Sequence, residues 1–352
     1  MSRVNVVTKH LLLTANIVFK AALLAVFFLF CSAAVLAQQD DDIATARLLL
    51  KQHKTAEAIV LLKALAARKP ELIGVNHELG VAYYREGEYL DAAEYLQKAW
   101  EENSNDHDAA QLLGLSYYSS GRPAEAIPPL DAFRSWSPDQ NVDAIYILGL
   151  CYVMDKRYSE ALQTFARLYG VKEDSAAAHL ILGRMLLRQG FDPAAQNEIN
   201  AALAISPQLP VAHLTLGEIH VYGGDYPKAV QEFQAELALD PACATALTHL
   251  GDVYWRLQRD EESQQVLRQS ISLNSSAAEP YVVLGKVLLR EGQPNLAEKN
   301  LHRAISLDSS SYTAHYFLAQ LYREQGKPEA AQSEMKIAAR IQQSQPANAR
   351  RN

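Results

Sequence analysis

The residues best suited to chemistry in this sequence are its histidines and cysteines, and their spacing limits what they can do. His179, His213 and His315 share one position, three residues ahead of Leu182, Leu216 and Leu318. A zinc site needs several ligands converging within about 2 Å of one ion. Equivalent positions in stacked helical units stand a helix-pair apart, on the order of 10 Å. One ion cannot bridge that gap, so these histidines read as half-buried packing groups and no metal is expected. Cys31, Cys151 and Cys243 are the only cysteines. Cys151 and Cys243 lie too far apart in a regular stack to form a disulfide. Cys151, inside Leu148-Gly149-Leu150-Cys151, reads as a small core residue. No HExxH, P-loop, GxSxG or CxxC occurs. No enzyme, no cofactor and no small-molecule substrate is therefore expected.

The elements that position these residues repeat along the chain. Ile73 to Asp106 reads as two short amphipathic helices joined by a glycine turn. Leu79, Gly80 and Tyr83 mark one helical stripe, and Gly87 breaks it. Tyr89, Ala92, Ala93, Leu96 and Ala99 mark the next. Neither helix can bury its apolar face alone, so each unit needs neighbours. The Leu-Gly pair recurs at Gly80, Gly114, Gly149, Gly183, Gly217, Gly251 and Gly285, then as Leu318-Ala319, at intervals of 34 residues with a single 35. A bulky residue follows three positions later and a small one twelve positions later, as in Tyr83 and Ala92. Pro70, Pro138, Pro207 and Pro241 close second helices, as residues that cannot continue a helix.

This length and this L-G…Y…A…P spacing resemble the tetratricopeptide repeat family. The resemblance implies an all-α fold, a right-handed α-α superhelix (solenoid) of about nine helix–turn–helix units, with protein binding as its business. Residues 43–70 read as a worn first unit, with Thr45-Ala46 where the Leu-Gly pair should stand. Pro128-Pro129 falls where a second helix should begin, which predicts a late start or a kink there. No polar capping helix is evident after the ninth unit, so Met335, Ile337, Ala338 and Ile341 either stand at an incompletely covered edge or are shielded by Arg340 and Gln342.

The ends differ in composition. Residues 1–37 carry only Arg3, Lys9 and Lys20 as charges, and Ala21 to Ala37 is uninterrupted apolar sequence closing in Val35-Leu36-Ala37. That is the layout of a secretory signal cleaved after Ala37. The alternative is a retained N-terminal anchor, since 17 apolar residues are at the short edge of a membrane span. Lipidation at Cys31 is disfavoured by the bulky Phe28-Leu29-Phe30 before it. The expectation is export, to the periplasm or beyond, with membrane association only if the segment is retained. The repeats then occupy 38–345, and the composition of 346–352 predicts no packed structure. The whole chain carries −7; without the three leader cations the remainder carries about −10. With no basic run outside the final Arg350-Arg351, nucleic acid is not an expected partner.

Two function classes remain. One is a scaffold whose first helices line a groove for an extended peptide or partner segment. The other is an assembly subunit of a larger envelope complex, docking through its edges and convex face. The register places groove residues one, four and five positions after each glycine and three and six before it. In the second to fourth units these include Tyr84, Leu115, Tyr118, Tyr146, Leu150, Val153 and Met154, a largely apolar lining. In the fifth to eighth they include Arg184, Arg188, Glu218, Tyr222, Asp252, Trp255, Arg256, Lys286 and Arg290. Pairing of Arg184 with Glu218 and of Asp252 with Lys286 would leave Arg188, Arg256 and Arg290 as an unneutralised row beside Trp255. An extended partner with an apolar segment and then an acidic one is expected. The Lys–Asn pair by which co-chaperone members of the family hold a carboxylate-ended tail is missing; His77 and Val81, Gln111 and Leu115, Tyr146 and Leu150, and Leu180 and Arg184 stand there instead.

Overall fold

The computed structural model describes residues 42–136 and 141–344, and their regular structure is entirely helical. The expected leader (1–37), the tail (346–352) and Pro138 lie outside the described residues. Among the described residues no helix is long and apolar enough to cross a membrane. The chain divides into two compact units, Met1–Cys151 and Tyr152–Asn352. The first holds α1 (42–51), α2 (Thr55–Arg68), α3 (Val75–Glu86), α4 (Tyr89–Glu102), α5 (His107–Ser119) and α6 (Pro123–Trp136). The division falls inside α7 (Val142–Met154). The second holds α8 (Tyr158–Leu168), α9 (Ala176–Arg188), α10 (Asp192–Ile205), α11 (Ala212–Tyr222), α12 (Tyr226–Leu239) and α13 (Ala244–Arg256). It continues with α14 (Asp260–Leu273), α15 (Glu279–Arg290), α16 (Pro294–Leu307), α17 (Tyr312–Glu324) and α18 (Pro328–Ser344). Odd-numbered helices are the first members of the repeats and even-numbered ones the second.

Close approach of the two helices explains the Leu-Gly register. A Cβ added to Gly80 would lie 2.7 Å from Leu96 Cδ2, and one on Gly251 would lie 2.6 Å from Leu267 Cγ. The small residues twelve positions on, among them Ala92, Ala126, Ala195, Ala229 and Ala297, are fully buried at the same crossings. Ser263 takes that place once, and its hydroxyl donates to the Gly251 carbonyl at 2.7 Å. Its burial therefore leaves no unpaired donor.

Seven positions after the crossing residue the backbone turns through positive φ, as at Gly87 (79°). Glycine adopts this region at no steric cost. Lys156 (61°) and Gln258 (59°) adopt it without that freedom. So does His53 (60°), seven positions after Ala46, which fixes the worn first repeat in the common register.

At four junctions a tyrosine fastens a repeat to the one before. Three positions after the crossing glycine, it reaches a residue twenty positions upstream on the preceding second helix. Gln234 donates to Tyr254 Oη at 3.1 Å, Tyr322 Oη lies 3.1 Å from His302 Nε2, and Tyr117 donates to Gln97 at 3.5 Å. Lys63 sits 5.3 Å above the Tyr83 ring in the same arrangement. From the other side a cation at the turn covers the ring: Arg122 over Tyr117 at 4.9 Å, Arg157 over Tyr152 at 4.7 Å and Arg259 over Tyr254 at 4.4 Å. Each of these arginines is held in turn by a glutamate three residues on, Glu125, Glu160 and Glu262.

Pro128 and Pro129 correct the expectation of a late start. The helix α6 begins at Pro123 and runs through both prolines. Two interior prolines remove two backbone hydrogen bonds, at a cost of about 3 kcal/mol each. The helix survives because Ala126, Ile127, Pro129, Leu130 and Phe133 are buried together on one face. At the far end Met335 is exposed, Ile337 and Ile341 are half-buried and Ala338 is buried, so the last helix is only partly covered.

Candidate functional site

The first-helix faces of the first unit carry Tyr84, Leu115, Tyr118 and Tyr146, all half-buried. Tyr84 meets Tyr89 edge to face at 5.6 Å. Burial pushes the phenols of Tyr84 and Tyr118 above their ordinary pKa, so both stay neutral donors at physiological pH. Leu150 departs from the expectation: it is buried and belongs to the core. Cys151 is buried too, which pushes its thiol up to about 12 and rules out a thiolate nucleophile near neutrality.

Toward the amino-terminal end of this unit the same faces bound a cleft of about 360 Å³. Arg47, Lys51, His77, Glu78, Arg85, Asp108 and Gln111 line it, over an apolar floor of Leu50, Val81 and Leu112. Arg47 is committed to the buried carboxylate of Glu78 at 2.5 Å. His77 Nδ1 lies 2.7 Å from Asp106 Oδ2. Arg85 donates one nitrogen to the Leu50 carbonyl at 2.8 Å, closing the end of α1. Lys51 is exposed. None of Arg47, Lys51 and Arg85 was projected as a groove residue from sequence. The signal was available: Arg47 and Lys51 stand one and five positions after Ala46, and Arg85 five after Gly80.

In the second unit Val153 is a correction, being 0% exposed and part of the core, while Met154 is half-buried. Arg184 and Arg188 are exposed on α9, and Tyr222 is exposed on α11. Glu218 pairs with His249 Nε2 at 3.4 Å rather than with Arg184, and Glu279 lies 4.0 Å from His249 Nδ1. His249 also stacks on the Phe233 ring, 5.7 Å between centroids.

The expected row of free cations beside Trp255 is not there. Asp252 accepts from Lys286 at 2.5 Å and from Arg256 at 2.7 Å. Burial opposes ionisation of Asp252, but the two cations outweigh it and hold the carboxyl below its usual range. Lys286 is only 7% exposed. Its ammonium lies 3.7 Å from the Trp255 ring centre and 5.8 Å from that of Phe317. Trp255 and Phe317 meet edge to face at 6.4 Å, so side chains of α13, α15 and α17 box one ammonium. Arg290 forks onto Asp260 at the start of α14 and lies 5.2 Å from the Trp255 ring. Asp260 escapes a register that counts first helices alone. Only Arg184 and Arg188, of the cations expected here, stay exposed and outside these ion pairs.

The histidines at the shared position each meet a glutamate on the second helix of their own repeat. His179 lies 2.7 Å from Glu198, His213 2.7 Å from Glu232 and His315 2.5 Å from Glu334. Among the described residues no group of His, Cys, Asp and Glu is placed to hold a metal ion.

A family model described as Tetratricopeptide repeat matches residues 157–210 and 214–278, and a second with the same description matches 49–116 and 288–351. A model for anaphase-promoting complex, cyclosome, subunit 3 matches 89–166. Among curated proteins, the TPR repeat-containing protein YpiA of Bacillus subtilis (strain 168) is 28% identical over 171 residues, 47% of this chain and 39% of its own length. Superkiller complex protein 3 of Mus musculus is 25% identical over 131 residues, 35% of this chain and 8% of its own length. The chain thus spans well under half of either relative. The solved structure of Pseudomonas aeruginosa pilF is similar with a TM-score of 0.46 at 17% identity, covering 58% of this chain and 93% of that one.

Proposed function

The chain belongs to the tetratricopeptide repeat family, and on that premise we propose that it is a non-catalytic scaffold holding an extended segment of another protein against its first-helix faces. The observation that carries the reading is the surface of Tyr84, Leu115, Tyr118 and Tyr146 in the first unit. Three successive first helices keep large apolar side chains half-exposed at groove positions, where packing within the repeats would bury them. Neutral phenols beside aliphatic carbon suit apolar side chains of an extended peptide while hydrogen-bonding its backbone. In the second unit, considered by itself, Arg184 and Arg188 are the cations that an acidic segment would meet.

Peptide-display selection on the full chain tests this. Tyr118→Glu should weaken selected peptides at least ten-fold, about 1.4 kcal/mol. Val60→Glu, at a 70% exposed second-helix site, should leave them unchanged. Peptides indifferent to Tyr118→Glu and lost on Val60→Glu would remove the groove reading. One observation favours an assembly role instead: Ile205, Leu239 and Leu273 end α10, α12 and α14 and are all exposed. Self-association at micromolar concentration, abolished by their joint replacement with glutamate, would establish it.

A further inference from the structure

The cleft at the amino-terminal end of the first unit has a charge pattern that apolar groove residues do not explain, and its meaning rests on the scaffold reading above. We propose that this cleft is an acceptor for an acidic side chain, Asp or Glu, carried within the bound peptide and seated between Lys51 and Arg85. The two cations stand on α1 and α3, near the carboxyl-terminal ends of adjacent first helices. The other basic groups are already committed, Arg47 to Glu78 and His77 to Asp106. Arg85 uses a single nitrogen on the Leu50 carbonyl, which orients the guanidinium and leaves the rest of its fork uncommitted. Lys51 enters no ion pair among the described residues, and its ammonium is exposed.

The cleft also says what kind of carboxylate fits. Its floor of Leu50, Val81 and Leu112 suits the methylenes of a side chain better than a bare inorganic anion. The α5 wall opposite carries Asp108 and Gln111. Asp108 repels a second carboxylate and accepts from backbone N–H groups, so the peptide crosses the cleft from the cationic wall toward α5 instead of ending at it. An anionic residue followed toward α5 by apolar ones matches the charge pattern and continues onto Tyr84, Leu115 and Tyr118.

The experiment uses the full chain and a randomised, C-terminally amidated dodecapeptide library, read as residue frequencies in the bound pool. The wild-type pool should be enriched at least three-fold in Asp or Glu at one position flanked by apolar residues. Lys51→Glu, at a side chain with no ion-pair partner to lose, should reverse that position to Lys or Arg while keeping the apolar flank. Arg85→Lys, which keeps the charge and loses the fork, should reduce the acidic enrichment without reversing it. An acidic enrichment unchanged in Lys51→Glu, or an apolar pool with no acidic position, overturns the inference and leaves the scaffold reading standing. A pool with no enrichment of any kind overturns both. A free-carboxylate version of the library that displaces the acidic position from internal to terminal overturns the assignment to a side chain.

Discussion

Gly217 lies where α11 crosses α12, and Gly217→Ala sets two opposing effects against each other. Alanine favours a helix interior over glycine by about 1 kcal/mol. At this crossing the new Cβ overlaps the Phe233 ring, with Cδ1 at 2.6 Å and Cζ at 2.8 Å. Phe233 is fully buried and stacked on His249, so the ring has no free volume to enter. Overpacking of this kind costs ~1–3 kcal/mol, and with several ring atoms involved the upper end applies. The net expectation is a loss of about 2 kcal/mol. Truncation by Phe233→Ala costs ~3–5 kcal/mol by itself, but in that background the added methyl meets a cavity. Gly217→Ala should then stabilise by about 1 kcal/mol, the bare helix-propensity gain. Urea unfolding followed by circular dichroism reads the cycle, and hydrogen exchange in α11 and α12 localises it. Local readout is needed because repeats couple mainly to their neighbours. A Gly217→Ala that stabilises equally in both backgrounds would refute close approach as the reason for glycine here.

Three further outcomes are expected. Burial opposes protonation of His249, but Glu218 and Glu279 outweigh it and raise its pKa. Its stabilisation is therefore complete below the unfolded value of about 6.5 and is lost as pH rises through the higher folded value. Urea midpoints of the wild type should fall across that window and those of His249→Gln should not; parallel curves would remove the bridge. Lys286→Met strands Asp252 with the more exposed Arg256 alone, which should cost ~2–3 kcal/mol, below the range for a wholly unpaired buried charge. Thermal unfolding should show most of that recovered in Lys286→Met with Asp252→Asn, and a single variant as benign as the double would deny the pair its role. Mass spectrometry of the mature protein should find Gln38 first, whereas an intact Met1 in the membrane fraction would replace the cleaved leader by an anchor.

The repeat register was legible because its cause is local. Glycine or alanine must stand where two backbones approach, and a small residue must stand opposite, so the pattern survives in the sequence even at Ser263 and Ala46. The chemistry of the faces was less legible. Arg290 finds Asp260 on a second helix, and Glu218 finds His249 on the next first helix, pairings that depend on how neighbouring repeats are rotated. Val153 and Leu150 occupy groove positions by count and core positions in space, because α7 is apolar nearly all round and periodicity gives no face. The glutamates that hold His179, His213 and His315 lie 19 residues downstream on the partner helix, beyond the reach of any single-helix pattern.

The tyrosine that reaches back twenty residues makes the junctions that carry it short-range agreements between adjacent repeats. Gene duplication or loss of one whole unit, of 34 residues, would bring such a tyrosine against the second helix of a new neighbour at the same spacing. The orphaned tyrosine would find a chemically similar partner, since Lys63, Gln97, Gln234 and His302 all offer a polar group to the ring or its hydroxyl. Chain length is in this sense a heritable variable that can change without the invention of a new interface. An insertion of any other length would break the agreement at once. At the single 35-residue interval the residue twenty positions before Tyr152 is Ala132, which has no polar side chain to offer.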